Sequence, residues 1–286
     1  MDRGINLNLE DVFKKFAKEI TNIQQQKSNH ERIAKQSVEL TNKTIEKLVD
    51  DNFDFPASTQ NMCFDDINGE TKIYGHVKQS FEDLKDSQFH IYKLQLQWLL
   101  VNAYEYFEIY IKNLYMLCAN ENNIWKLKHF GSLTLQEVEN LSEDEIKELA
   151  MKVETNEILN IFRGKLPNYK LLEVNNKIGV DLKFFIKIIE KLRHIIVHNN
   201  GYVKNKQKFT NKIFQELGYA TNNKNSDELI GVLNLFFDEN DFVDLRKIVG
   251  KSYGVFVVHH CKFSILIEKM MCLSDLLRME IEIYNE

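Results

Sequence analysis

Leu94–Cys118 reads LQLQWLLVNAYEYFEIYIKNLYMLC. Wound as a helix, this stretch carries Leu96, Trp98, Leu99, Leu100, Val101, Tyr104, Phe107, Tyr110, Ile111, Leu114 and Tyr115 on most of its faces. A helix that is apolar nearly all round is buried by several partners. The stretch therefore predicts the central helix of an all-α core. It is too polar to span a bilayer, because Gln95, Gln97, Asn102, Glu105, Glu108, Lys112 and Asn113 interrupt it.

The flanking sequence supports a helical chain. On the N-terminal side the helix extends back to about Gly75, with one break expected near Asp86–Phe89. Residues 50–70 (DDNFDFPASTQNMCFDDINGE) are rich in turn formers and read as a loop. Leu9 to about Leu48 shows a helical stripe through Val12, Phe13, Phe16, Ile20 and Ile23 and again through Ile33, Val38, Ile45 and Leu48, with a bend expected at Gln24–Asn29. On the C-terminal side Asn122–Leu141 reads as a loop. Ser142 and Glu145 make a capping-box pattern that starts a short helix, and Thr155–Phe162 follows as another. The apolar run Leu229–Phe237 (LIGVLNLFF) reads as a strand that pairs near Tyr202 or Lys208–Phe209 in a small hairpin. A last helix is expected from about Asp241 to Ile283, kinked at Gly254. Pro56 and Pro167 are the only prolines, and so few helix breakers favour long helices. The organisation drawn from this is an N-terminal helical arm and loop over 1–70 and a helical domain over 76–286.

Composition narrows the function. Hydrophobic residues make up 44% and charged residues 28%, which excludes a disordered chain. The net charge of −5 argues against a protein coated in basic surface for non-specific nucleic-acid binding. The four cysteines are scattered and form no C-x-x-C pair, as in reduced cytosolic proteins. The opening MDRGINLNLEDVFKKF lacks the apolar core of a signal peptide, so a cytoplasmic location is expected.

The chemistry concentrates in Glu190–Gly201, EKLRHIIVHNNG. Asp181 opens a helix whose stripe runs through Phe184, Phe185, Ile188, Ile189, Leu192, Ile195 and Ile196. Asn199-Asn200-Gly201 ends it, since Asn and Gly tolerate the left-handed conformation. Arg193 and His198 stand near that end. A guanidinium binds phosphate oxygens through its fork and stabilises charge that builds in the transition state. An imidazole with a pKa near neutrality moves protons, and a helix C-terminus favours its protonated form. Five residues turn about 500°, so the two side chains converge only if the last turn unwinds. Seven basic residues lie between 183 and 208 (Lys183, Lys187, Lys191, Arg193, Lys204, Lys206 and Lys208) against Glu190 alone. Such a patch can draw in RNA phosphates, or it can be the solvated face of an amphipathic helix. Lys191, Lys204, Lys206 and Lys208 are the candidate phosphate contacts, and Tyr202 is a candidate for base stacking.

Arg193-His-Ile-Ile-Val-His198 resembles the R-x4-6-H signature of the HEPN superfamily, and RHIIVHNNG resembles the form found in HEPN proteins related to RNase toxins and phage defence. Leu99–Leu114 resembles the second core helix of that family, with Glu108 best matching its acidic position and Glu105 second. The resemblance covers roughly residues 76–286. It implies an HEPN-type helical bundle that homodimerises. It also implies a composite cleft in which Arg193 and His198 of both protomers cut RNA without a metal or other cofactor, leaving a cyclic phosphate. In this carry-over Glu108 orients Arg193, and His194 and Asn199 are auxiliary hydrogen-bonders. The implied biological role is a toxin or abortive-infection effector, with an antitoxin or defence-system protein as a further partner. Two other readings stand beside it. Some HEPN domains are non-catalytic dimerisation or scaffold modules. Glu190, His194 and His198, at i, i+4 and i+8, approach one helix stripe and raise a metal site, although no third strong ligand accompanies the two histidines.

Overall fold

The computed structural model describes residues 8–50, 58–121, 142–220, 224–246 and 261–285. These residues form nine helices and one two-stranded antiparallel hairpin, so the mostly helical class with a small hairpin holds. None of the described helices is long and apolar enough to cross a membrane.

The described residues fall into two compact units. One comprises those up to Gln24 and those from Gln97 on; the other is Gln25–Leu96. The divisions lie inside helices α1 (Leu9–Asp50) and α2 (Phe81–Glu121), whereas the sequence places a single division in a linker between 70 and 76. Both helices are continuous, so the break expected near Asp86–Phe89 does not occur.

The core of the larger unit is built around α2, as its all-round apolar pattern demands. Twelve of the twenty residues from Leu99 to Cys118 are buried, among them Phe107, Tyr110, Ile111 and Leu114 at 0–1% exposure. Burying side chains of this size is worth about 1.5–3 kcal/mol each, which outweighs the few polar links made along the helix. Phe16 of α1 stacks on Tyr110 at 4.8 Å. The Tyr110 hydroxyl donates to the Ser274 carbonyl of the last helix (2.8 Å), and Lys112 donates to the Met151 carbonyl (2.9 Å). Cys118 and Cys261 are buried, and all four cysteines are free.

The other helices of this unit are α3 (Glu143–Lys152), α4 (Thr155–Lys165), α5 (Pro167–Leu172), α6 (Leu182–Asn199), α7 (Lys206–Leu217), α8 (Lys224–Asn234) and α9 (Lys262–Asn285). Ser142 and Glu145 form the reciprocal capping box that their spacing predicts for α3. Arg163 of α4 clasps both carboxylate oxygens of buried Glu173 (2.7 and 3.0 Å), which ties α4 to the end of α5. α6 packs against α9 and α7.

Two expectations need correction. The run Leu229–Phe237 is not a strand: Lys224–Asn234 is helical, and burial falls on Ser226, Leu233 and then Phe236 and Phe237. In a short apolar run alternation and helical spacing are easily confused, and here the three-to-four spacing governs. Lys206–Leu217, which includes the Lys208–Phe209 offered as a hairpin partner, is also a helix, capped by Asn205 at its start and by Gly218 (φ 73°) at its end. Tyr202 pairs with Phe242 rather than with 229–237, in an isolated bridge.

The hairpin lies elsewhere, in the smaller unit. Strand β1 (Ser58–Asp65) lies within the segment expected to be a loop, and β2 (Thr71–Gln79) follows it and takes up the residues from Gly75 expected to be helical. Asn68-Gly69 turns the chain, with Gly69 at φ 80° and the Asp66 carboxylate accepting from the Asn68 and Glu70 amides. Asn-Gly is the strongest short hairpin signal. The loop expected over 122–141 and the kink at Gly254 lie outside the described residues; the last helix does not begin at Asp241 as expected, since 241–246 is not helical and Phe242 and Val243 form isolated bridges, and α9 is described from Lys262.

Candidate functional site

The site grows from how α6 begins and ends. Asp181 caps it by accepting from the Phe184 amide (2.8 Å). Phe184, Ile188, Leu192, Ile195 and Ile196 are buried along one side. That commitment leaves His194 and His198 exposed one turn apart on the opposite side, with Arg193 half-buried at its edge.

The end of α6 is locked by three features. Asn200 takes the left-handed conformation (φ 50°), and so does Gly201 (φ 80°). The amides of both residues return to the Ile195 carbonyl, closing the helix. A Cβ on Gly201 would meet the Gln97 amide at 2.9 Å. Gln97 is itself buried and donates to the Val243 carbonyl (2.6 Å), while the Val243 amide donates to the Gly201 carbonyl (2.8 Å). Only glycine combines that φ with that close approach. The last turn of α6 is thus fixed to α2 and to the 236–245 segment.

Beside this end lies a cavity of about 560 Å³, within the range of small-molecule and nucleotide sites. Arg193, His194 and Asn199 line it from α6, Glu108 and Tyr104 from α2, and Glu154, Thr155 and Asn156 from the start of α4. Lys204 and Lys208 close it, joined by Lys212 and Phe209 of α7. Of the residues proposed from sequence, the cavity gathers Arg193, Glu108, His194, Asn199, Lys191, Lys204 and Lys208. His198, Lys206 and Tyr202 do not line it. Arg193 and His198 of one chain therefore do not share this cavity. His194 links them: its ring lies 4.6 Å from that of His198, tilted by 50°.

The expected pairing of Glu108 with Arg193 is not formed. Glu108 accepts from the Thr155 hydroxyl (3.1 Å). The Nε–H of Arg193 is buried and has no partner among the described residues. A buried donor left unpaired costs about 1–3 kcal/mol, and a guanidinium more.

The basic stretch divides into engaged and free cations. Lys187 pairs with Glu190 (2.7 Å) and Glu216 (3.3 Å), and Lys191 with Glu216 (2.8 Å). Lys183 donates to the Leu217 carbonyl (3.1 Å) at the end of α7. Lys206 faces Asp241 at 3.3 Å and lies over the Phe237 ring at 5.1 Å. Lys191 and Lys206, both proposed as RNA contacts, are therefore already partly neutralised by carboxylates distant in sequence. Lys204, Lys208 and Lys212 have no ion pair among the described residues. Lys212 is absent from the sequence-based candidates because it lies in a segment that resembles a linker; the spacing of Lys208 and Lys212 on one helix face is the signal that points to it.

The electrostatics reflect this crowding. Partial burial pushes the His194 imidazole below its ordinary value, and repulsion from His198, Lys191, Lys212 and Arg193 pushes it further. Its neutral, proton-accepting form is favoured. Burial holds the Tyr104 phenol well above its usual range, and the nearby Glu190 and Glu108 carboxylates add to this, so Tyr104 serves as a neutral hydroxyl. Glu190 is taken up by Lys187, Lys191 and the Asn156 amide (2.9 Å). Among the described residues no three His, Cys, Asp or Glu are grouped to hold a metal ion. Comparison with protein-family models, curated proteins and solved structures returned no match.

Proposed function

We propose that the chain is a metal-independent endoribonuclease of HEPN type, acting as a homodimer. One observation carries the reading: a guanidinium with a buried, unsatisfied donor opens on a cation-rich cavity beside two touching imidazoles, at a rigidly locked helix end.

In the proposed reaction the substrate's own 2′-hydroxyl attacks the adjacent phosphorus. The O2′–P bond forms and the P–O5′ bond breaks, giving a 2′,3′-cyclic phosphate and a 5′-hydroxyl. Arg193 binds the phosphate oxygens and stabilises the charge they gain. His198 is the general acid/base. His194 and Asn199 assist by hydrogen bonding. Glu108 acts at the cavity wall, its carboxylate positioned by Thr155. Lys204 and Lys208 attract the backbone.

Dimerisation brings His198 of one protomer to the cavity that holds Arg193, which the single chain does not do. An exposed face of α2 supports association: Trp98 and Ile109, eleven residues and three turns apart, are 54% and 46% exposed. A toxin or abortive-infection role, with an antitoxin or defence-system partner, belongs to the same proposal. The second reading, a non-catalytic dimerisation or scaffold module, is favoured by the separation of Arg193 from His198 in one chain.

The deciding experiment incubates purified protein with total RNA in chelator, comparing wild type with Arg193→Ala and His198→Ala. The nuclease reading expects cyclic-phosphate-ended fragments from wild type alone. Equal cleavage by all three removes the site. No cleavage by any, with a dimer in solution, selects the scaffold.

A further inference from the structure

The cavity beside α6 carries unpaired charge of both signs. Among its lining residues Arg193, Lys204, Lys208 and Lys212 have no ion pair with the described residues, and neither have Glu108 and Glu154. Glu108 uses one oxygen, Oε1, for Thr155. Glu154 sits at the N-cap position of α4 without making a side-chain capping bond. These opposite charges line one cavity yet form no ion pair with each other. Four cations with no anion and two carboxylates with no cation on one cavity match a ligand that carries both an anionic group and a hydrogen-bond donor edge.

We infer that this cavity is a guanine-nucleotide subsite, with the phosphate on Arg193, Lys208 and Lys212 and the base edge on the carboxylates of Glu108 and Glu154. The choice of base rests on donor geometry. A carboxylate only accepts, and it accepts best from two parallel N–H groups. Guanine N1–H and N2–H are such a pair. Adenine and cytosine each set an amino group beside a ring nitrogen acceptor, and uracil flanks one N–H with two carbonyls. The carboxylates therefore favour guanine and repel uracil. Phe209 lines the same cavity and offers a flat ring for the base to stack on. Nucleotide binding rests on the cavity alone; cutting next to guanine rests in addition on the nuclease reading.

The test is calorimetric titration of the full chain with GMP, AMP, CMP and UMP, none of which can be cleaved. GMP is expected to bind at least tenfold more tightly than UMP, and inosine monophosphate, which lacks the exocyclic amine, in between. Changing Glu108→Gln and Glu154→Gln together should weaken GMP and strengthen UMP, because an amide also donates. Lys208→Ala with Lys212→Ala should weaken all four alike. Loss of fold would weaken every ligand and cannot produce the opposite changes for GMP and UMP. UMP binding as tightly as GMP, no binding of any nucleotide at millimolar concentration, or an unchanged preference in the double glutamine variant would overturn the subsite. RNA cleavage measured in parallel separates the two ideas. Cleavage without guanine preference leaves the nuclease and removes the subsite; selective GMP binding without cleavage does the reverse.

Discussion

The run of cations from Lys183 in α6 to Lys212 in α7 falls into an earlier and a later half that are put to opposite uses. In the first half Lys187 and Lys191 are held by Glu190 and Glu216, and Lys183 by a helix-end carbonyl. In the second half, past Lys191, Arg193 has a buried donor without a partner among the described residues, and Lys204, with Lys208 and Lys212 of α7, lines the same cavity. A charge already paired has little attraction left for a ligand, whereas a desolvated unpaired one gains most when a ligand arrives. The comparison teaches that a count of basic residues along a stretch says less about binding than which of them the fold leaves unsatisfied.

The sharpest way to break this contrast is Arg193→Ala. If the guanidinium stabilises the transition state, cleavage should fall at least hundredfold, an effect of about 3 kcal/mol. The melting temperature should hold or rise, because the substitution removes an unsatisfied buried donor. A fall in both would make Arg193 structural. Lys187→Ala is the control from the paired half and should leave cleavage within about twofold.

Gly201→Ala tests whether the locked helix end matters. A non-glycine residue at φ 80° facing the Gln97 amide at 2.9 Å should cost about 2 kcal/mol, read as a lowered melting temperature. If stability is unchanged, the end of α6 is not a rigid support for the site.

Sequence reading reaches the elements whose pattern is local. The all-round apolar α2, the capped α6 with its Asn-Asn-Gly stop, and the Ser142–Glu145 box each follow from spacing within one segment. It fails where two local signals compete. Leu229–Phe237 is ambiguous between periods of two and three to four, and Lys206–Leu217 hides its buried Thr210, Ile213, Phe214 and Leu217 among lysines and asparagines. At the hairpin the Asn68-Gly69 signal is present but merges into a generally turn-rich segment. At the site, Arg193, His194 and Asn199 are visible as a motif. What no local pattern contains is pairing across the chain: Glu216 neutralising Lys191, Asp241 facing Lys206, and Thr155 taking Glu108.

A smaller effect distinguishes free from paired lysines directly. Lys208→Ala should weaken RNA binding and reduce the slope of log affinity against log salt by about 0.7, the value for one single-strand phosphate contact. Lys191→Ala, although it lines the same cavity, should change that slope less, because Glu216 already screens its charge. Binding isotherms between low and physiological salt measure both; equal slopes would erase the distinction between the two halves.

The smallest expected effect concerns the histidine pair. His194 titrates low because of partial burial and then because His198, Lys191, Lys212 and Arg193 oppose a proton on it. A lowered histidine pKa means the unfolded chain binds more protons than the folded one between the lowered and ordinary values. Stability in that window therefore rises with pH and declines as pH falls. Replacing His198 with Gln removes one of the opposing charges, so His194 should titrate higher. Histidine ring resonances followed by NMR from acid to mildly alkaline pH report this shift. If His194 titrates at the same pH in the variant, the two rings at 4.6 Å are not electrostatically coupled, and the route that links His198 to the Arg193 cavity through His194 fails with it.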